Sequence, residues 1–396
     1  MWILLSKRAK FKIFAKICSE ISINTCKTEK NMLYLFRRQI VSDYFQNRNR
    51  QSIQKLRQLQ SELPYFCSEF FIGIEQTTSY LTRLNYAYDL RVFFDFLINE
   101  VEEFHHYESP RQIKLRDLNL LSPSHLEMYL AYLSSYTFQG RECANQEKAK
   151  ARKLSSIRSM LKYFYRKEDL KENISDRVRM PKLHDKEIIR LESDEVSDIL
   201  NLAESRGERL SGRQKSFHER TRLRDSAMLT LFLGTGIRIS ELVGLNNEDI
   251  NFQNNSFIVT RKGGNKTILY FSDEVADALY KYLEEKRACP DKMKDNALFL
   301  SLRNTRISVR AVEILVKKYA GISAPLKKIT PHKLRSTYGT KLYQETHDIY
   351  VVADVLGHKD VNTTKKHYAA ISDDIRRNAA TKVKLRENQP ESEKYD

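Results

Sequence analysis

Apolar residues recur every three or four positions through most of the first half of this chain and give way to short β-rich runs only once, in the second half. From Gln51 to about Arg179 the spacing predicts helices. TTSYLTRLNYAYDLRVFFDFLINEV opens on Thr and Ser, then sets Leu81, Leu84, Tyr88, Val92 and Phe96 at helical intervals. SPSHLEMYLAYL has Ser122 as an N-cap candidate, Pro123 at the first helical position, and Leu126, Leu130 and Leu133 on one face. AKARKLSSIRSMLKYFYRK carries Leu154, Ile157, Leu161 and Phe164 as an apolar stripe.

After Met180 the run MPKLHDKEIIRLESDEVSDIL reads as a linker followed by a new helix, and a polar insert, ESRGERLSGRQKSFHERTRLRD, precedes the apolar helix SAMLTLFLGTG. FIVT and TILYF flank KGGN, a hairpin signal. Helices resume at SDEVADALYKYLEEK, SVRAVEILVKKYA, TPHKLRSTYGTKLY and HDIYVVADVLG. The pattern is mainly α with a small β-sheet (α+β). It divides into an N-terminal extension over 1–60, a helical domain over 61–184, a linker over 185–192, a mixed α/β domain over 193–385 and a disordered tail over 386–396.

Charge sharpens this picture. Lys and Arg number 68 against 51 Asp and Glu in 396 residues, a net +17, and the isoelectric point is near 9.4. Such an excess points to a polyanion, nucleic acid or an anionic surface. Between Lys148 and Lys167 there are eight Lys/Arg and no carboxylate. A helix that is merely solvated commonly includes Glu for i,i+4 pairing, so Lys148, Lys150, Arg152, Lys153, Arg158 and Lys162 are candidate DNA contacts. The five cysteines are scattered and lack CxxC spacing, which argues against a disulfide framework or zinc ribbon and fits a reducing cytoplasm. No apolar run approaches the roughly 20 residues of a membrane helix, and the start has no continuous signal-peptide core.

Four places in the second half combine cations with turn or cap signals. GTGIRISELVGL opens a helix after two glycines, with Arg238 in its first turn and Glu241 one turn on. TRKGGNK sets Lys262 at a hairpin tip. TPHKLR gives Thr330 as N-cap and Pro331 at the first helical position, with His332 and Arg335 on one face. LGHKDVNTTKKHYAAI places Gly357 as a helix stop before His358, with Tyr368 beyond it. Singly, each has an ordinary reading: an Arg238–Glu241 ion pair, a solvated turn lysine, capping histidines. Zinc is a poor fit, since the histidines lack HExxH or nearby Cys/His partners. Together they make one phosphate site. Two guanidiniums and two imidazoles can stabilise a pentacoordinate phosphorus, a lysine can protonate a leaving alkoxide, and a phenol can attack.

These four boxes, in this order across roughly Leu191 to Ser372, resemble the tyrosine recombinase (phage integrase) family. ELPYF, the polar insert and TRKGG are similar to Xer recombinases that act without a paralogous partner. The resemblance implies a SAM-like core-binding domain before the catalytic domain, and Arg238, Lys262, His332, Arg335 and His358 gathered on the scissile phosphate. It implies Glu241 as an orienting carboxylate and Tyr368 as the nucleophile forming a 3′-phosphotyrosine. It also implies double-stranded DNA as partner, a homotetramer on two DNA sites, an accessory directionality factor in some members, no cofactor or metal, and a C-terminal SDDIRRNAATKVKL segment docked on a neighbouring protomer.

Two departures stand out. The family's tyrosine commonly lies nine residues after the LGH histidine; here His367 fills that slot and Tyr368 follows. One residue turns a helical side chain by about 100°, yet an imidazole cannot form the phosphotyrosine, and the only other downstream tyrosine is Tyr395. Ser336 also stands after Arg335 where the family often has histidine. Alternatives to recombination are a non-catalytic DNA-binding remnant, type IB topoisomerase-like relaxation, and a metal-dependent transposase, for which no acidic cluster stands out.

Overall fold

The protein is described from a computed structural model, which places residues 43–183, 189–205, 212–261, 264–289, 296–358 and 360–361. The chain forms two compact units, Met1–Leu183 and His184–Asp396.

The first unit is helical: α1 (Asp43–Gln60), α2 (Phe66–Gly73), α3 (Tyr80–Glu100), α4 (Pro123–Tyr132) and α5 (Glu147–Arg166). Ser79 starts α3 by accepting a hydrogen bond from the Thr82 N–H at 3.2 Å, and Ser122 with Pro123 starts α4 as the sequence predicts. The core is rich in aromatic rings. Phe70, Phe93, Phe94, Phe96, Phe104, Tyr129 and Phe164 are fully buried, and Phe93 meets Tyr129 edge-on at 5.2 Å. Each such ring contributes roughly 1.5–3 kcal/mol by leaving water, and Phe164→Ala, which opens a cavity, costs about 3–5 kcal/mol. Leu154, Ile157, Leu161 and Phe164 all face this core.

Leu81 does not; it is 56% exposed. The buried line of α3 runs through Ala87, Leu90, Phe94 and Leu97, and at about 100° per residue Leu81 lies nearly opposite to it. Leu56 and Leu59 of α1 bury in the same core, so the last third of the expected extension is a packed helix. A hairpin the pattern did not reveal, β1 (Tyr136–Phe138) and β2 (Arg141–Cys143), leads into α5. Gln139 and Gly140 turn it with φ of 51° and 72°, the left-handed pair a two-residue hairpin needs.

The second unit is mixed. Its helices are α6 (Ser193–Glu204), α7 (Gly212–Thr235), α8 (Ile239–Gly244), α9 (Asp273–Arg287), α10 (Val309–Ser323), α11 (Pro331–Thr346) and α12 (Ile349–Leu356). Strands β3 (Ile250–Asn251), β4 (Ser256–Thr260) and β5 (Lys266–Tyr270) form an antiparallel sheet in that order, with Val259 opposite Thr267. The long helix α7 packs on α6, α9 and α11.

Helix α7 begins at Gly212, inside the stretch read as a polar insert. Its polar residues are helical because they satisfy one another in the interior. Asp225 Oδ2 accepts from Thr221 Oγ1 at 2.9 Å and from Tyr319 Oη at 3.1 Å, and buried His218 Nδ1 lies 2.9 Å from the same Tyr319 oxygen. Burial and the adjacent Asp225 carboxylate push the Tyr319 phenol far above its ordinary range.

Candidate active site

Helix α12 ends in a way that fixes the site. Gly357 takes φ +61°, its N–H donates to Asp354 O at 2.8 Å, and the His358 N–H donates to Ala353 O at 2.9 Å. This pair of bonds is a Schellman closure, with glycine in the left-handed place that a side chain resists. Leu-Gly-His is therefore one device. The leucine ends the helix, the glycine reverses it, and the backbone of the histidine completes the closure, which aims His358 away from the helix axis.

A helix C-terminus leaves carbonyls unsatisfied and carries partial negative charge. Here three consecutive carbonyls each accept from a different arginine. Val355 O accepts from Arg261 Nη2 at 3.1 Å, Leu356 O from Arg335 Nη2, and Gly357 O from Arg238 Nη2 at 2.8 Å. The arginines come from the end of the β4–β5 hairpin, from α11 and from the N-cap of α8. Like charges that would repel are thus collected on one dipole end.

Arg335 and Arg238 each have a second anchor. Arg335, 6% exposed, donates Nη1 to Gly236 O at 2.6 Å. Gly236 closes α7 with φ +62°, and a Cβ there would meet the Tyr338 ring at 2.5 Å. Arg238 donates Nη1 to Glu241 Oε1 at 2.8 Å, and its backbone N–H donates to Glu241 Oε2 at 3.0 Å. Arg238 is the N-cap of α8, one place before the first turn expected for it, and Glu241 at the third helical position is buried. One carboxylate therefore caps the helix and orients the guanidinium.

Ile237, Arg238, Ser240, His332, Arg335, Ser336 and His358 line a cleft of about 410 Å³. His332 is exposed, in the first turn of α11 after Thr330 and Pro331, and Arg335 lies one turn on. Ser336, where histidine is common in the family, donates to His332 O at 3.1 Å and borders the cleft. The structure thus brings Arg238, Glu241, His332, Arg335 and His358 together. Lys262 and Tyr368 lie outside the described residues, as does the C-terminal SDDIRRNAATKVKL segment. Among the described residues no group of three or more His, Cys, Asp or Glu is placed to hold a metal ion. No described helix is long and apolar enough to cross a membrane.

Sequence reasoning passed over Arg261, although it stands in the quoted TRKGG. Its guanidinium is half-buried; burial pushes its pKa down, Glu241 works the other way, and Arg238 adds to the depression.

The basic helix α5 belongs to the first unit and is less free than its sequence implies. Lys153 is 6% exposed and pairs with buried Asp89 at 3.3 Å; Arg152 pairs with the same carboxylate, which also accepts from Ser156. Arg158 donates to Val178 O, Lys150 pairs with Glu147 at 3.1 Å, and Lys167 with Glu69. The carboxylates missing within the helix stretch are supplied by α2, α3 and the first turn of α5. Lys148 and Lys162 remain exposed, as does the outer part of Arg152. Desolvation raises the Asp89 carboxyl and lowers the Lys153 ammonium, both against their mutual attraction, so burial outweighs pairing at this cluster. The signal for Asp89 was a carboxylate set between Tyr88 and Leu90 on the buried side of the helix.

A cleft bordered by two anchored guanidiniums and two imidazoles suits the charge and shape of a phosphodiester. Residues 190–374 match the Phage integrase family. A tyrosine recombinase XerC of Caldanaerobacter subterraneus subsp. tengcongensis is 35% identical over 309 residues, covering 76% of this chain and 80% of the relative. A tyrosine recombinase XerS of Streptococcus uberis is 30% identical over 366 residues, covering 84% and 98%. Among solved structures, the Tn1549 transposon integrase in complex with circular intermediate DNA aligns with a TM-score of 0.57 at 17% identity, covering 79% of this chain and 98% of that one. XerH bound to its difH substrate aligns at 0.55 and 18% identity, covering 77% and 80%. These structures establish the likeness of fold. The chain belongs to the tyrosine recombinases, the phage integrase family.

Proposed function

We propose that the protein is a site-specific DNA recombinase that cuts and rejoins double-stranded DNA through a 3′-phosphotyrosine. The observation that carries this reading is the cleft where Arg238, Arg335, His332 and His358 converge. The two guanidiniums, fixed by backbone carbonyls and Glu241, join the two imidazoles in stabilising the added charge of a pentacoordinate phosphorus. Tyr368 attacks the scissile phosphorus. The Tyr368 O–P bond forms as the bond to the 5′ oxygen breaks, His332 takes the phenolic proton, and Lys262 gives one to the departing oxygen. The phosphotyrosine keeps the diester energy, so a 5′-hydroxyl from the partner strand reverses the step and rejoins DNA without ATP.

Two rounds of exchange require two duplexes and four protomers, hence a tetramer on DNA, with directionality set in some settings by an accessory factor. The units over 61–184 and 193–385 serve as core-binding and catalytic domains around the duplex. Lys148, Lys162 and the outer part of Arg152 are the α5 positions available to phosphates.

The test begins by selecting bound duplexes from a randomised library and rebuilding the recovered sequence as a nicked suicide substrate. The native protein becomes covalently attached and Tyr368→Phe does not. A native protein that binds this duplex and never attaches is a DNA-binding remnant, and the recombinase reading falls. Relaxation of plasmids lacking the recovered site would favour topoisomerase-like action instead.

A further inference from the structure

We propose that Arg261 is a positioning residue: its guanidinium latches the β4–β5 hairpin to the end of α12 and so sets the place from which Lys262 serves the leaving oxygen. This rests on the recombinase reading above.

Arg261 closes the hairpin with its own backbone. Its N–H donates to Asn265 O at 2.8 Å, and its carbonyl accepts from the Gly264 N–H at 3.0 Å. The side chain is then free to leave the sheet, and it crosses to Val355 O, 94 residues on. There it fills the space beside Gly357 so closely that a Cβ on that glycine would fall on the guanidinium. Gly357 therefore answers two demands, the reversed backbone and room for Arg261. On the other side of the same peptide, Gly357 O accepts from Arg238.

The position is expensive for a cation. Arg261 Nε is buried with no hydrogen-bond partner among the described residues, and the Arg238 guanidinium is among its charged neighbours. A sheet that needed only a turn residue would not hold a charge here. Nor is Arg261 among the described residues that border the cleft. What its bond to α12 does is tie two segments together. One carries His358, three residues past Val355. The other leads directly into Lys262, the next residue of the chain. A proton donor must arrive at the leaving oxygen within hydrogen-bond reach, and a latch one residue away restricts where it can start from.

The role is separated from a structural one by the leaving group. A 5′-oxygen departs with a proton from Lys262, whereas a 5′-sulfur departs as a thiolate and needs none. Single-turnover attachment is measured on the recovered suicide duplex with oxygen or sulfur at the scissile position. Arg261→Ala is expected to slow attachment on the oxygen substrate by about 10- to 100-fold, the scale of a misplaced catalytic group. On the sulfur substrate it returns to within about threefold of the native rate, since no acid is required there. Arg261→Lys keeps the charge and guards against a variant that does not fold; it shows the same selective loss to a smaller degree. Equal slowing on both substrates would make Arg261 an electrostatic or purely structural residue and overturn the proposal, as would a native rate on both. A native protein that attaches to neither substrate would remove the recombinase reading itself, and this inference with it.

Discussion

Glu241 holds Arg238 at two points, and replacing it with glutamine removes one of them by a simple count of donors. The backbone N–H of Arg238 faces Oε2 at 3.0 Å and its Nη1 faces Oε1 at 2.8 Å. A glutamine amide offers one oxygen and one NH2, so in either orientation an NH2 meets a donor. The loss is one charge-assisted hydrogen bond in a buried place, about 2 kcal/mol. For a unit of about 200 residues, at roughly 2–4 °C per kcal/mol, Glu241→Gln lowers the melting temperature of the second unit by about 4–8 °C. Arg238 keeps its bond to Gly357 O but is no longer held on both sides, so attachment to the suicide duplex slows by about 10- to 100-fold. DNA binding, which the phosphate backbone dominates, changes by less than about threefold. Thermal melts, mobility shifts and single-turnover attachment together check this. A variant that melts lower yet attaches at the native rate would show that Glu241 caps α8 without orienting the guanidinium; one that matches the native protein in both would refute the donor count.

Gly236→Ala forces a left-handed backbone on alanine and drives its Cβ into Tyr338; with the carbonyl that anchors Arg335 displaced, attachment falls by more than about tenfold while DNA binding persists. In α5, Lys148→Ala with Lys162→Ala leaves melting unchanged and lowers the salt slope of DNA binding by about 2 in total. Lys153→Ala, in contrast, leaves buried Asp89 with only Arg152 and Ser156 as partners among the described residues and costs about 1–3 kcal/mol of stability in the first unit. Burial pushes the phenols of Tyr132 and Tyr282 up to about 12 from the usual 10.0. A folded value above the unfolded one means the fold keeps a proton that the open chain releases, so this contribution is complete below pH 10 and is lost as pH rises toward 12; phenolate absorbance then appears together with unfolding. Attachment in EDTA proceeds at the rate without it, and a loss there would require a metal in the chemistry.

The helices and the glycines that end them were readable because both rest on local rules: period in α4 and α5, Pro at the first helical position in α4 and α11, Gly in the left-handed place after α12. The candidate site was readable for a related reason, since its residues sit at element ends that cap and turn signals mark. What escaped were partnerships across the chain. Arg152 and Lys153 look like DNA contacts until Asp89, more than sixty residues earlier, is brought beside them. His218, Thr221 and Asp225 look like a solvated insert until Tyr319 meets them inside the second unit. Arg261 looks like a turn residue until it reaches Val355. A charge in a sequence has no address, and only the fold says whether its counterpart is a phosphate, a carboxylate or a carbonyl.

That distinction explains how three arginines can gather at one helix end, two of them bordering the cleft, without repelling one another apart. Arginines at the density needed to grip a phosphodiester repel one another while the DNA is absent. Here each of the three spends one nitrogen on successive carbonyls of the α12 terminus, where the backbone dipole is negative and the groups need donors anyway. Glu241 neutralises one more of the donors on Arg238, and the Gly236 carbonyl takes another from Arg335. Arg238 and Arg335 both border the cleft. The helix end thus offsets part of the arginines' charge and fixes the direction from which a phosphate must be met. A single substitution that lengthened α12 past Gly357, by making position 357 helical, would withdraw all three carbonyls at once. Its effect on attachment would exceed that of losing any one arginine's anchor.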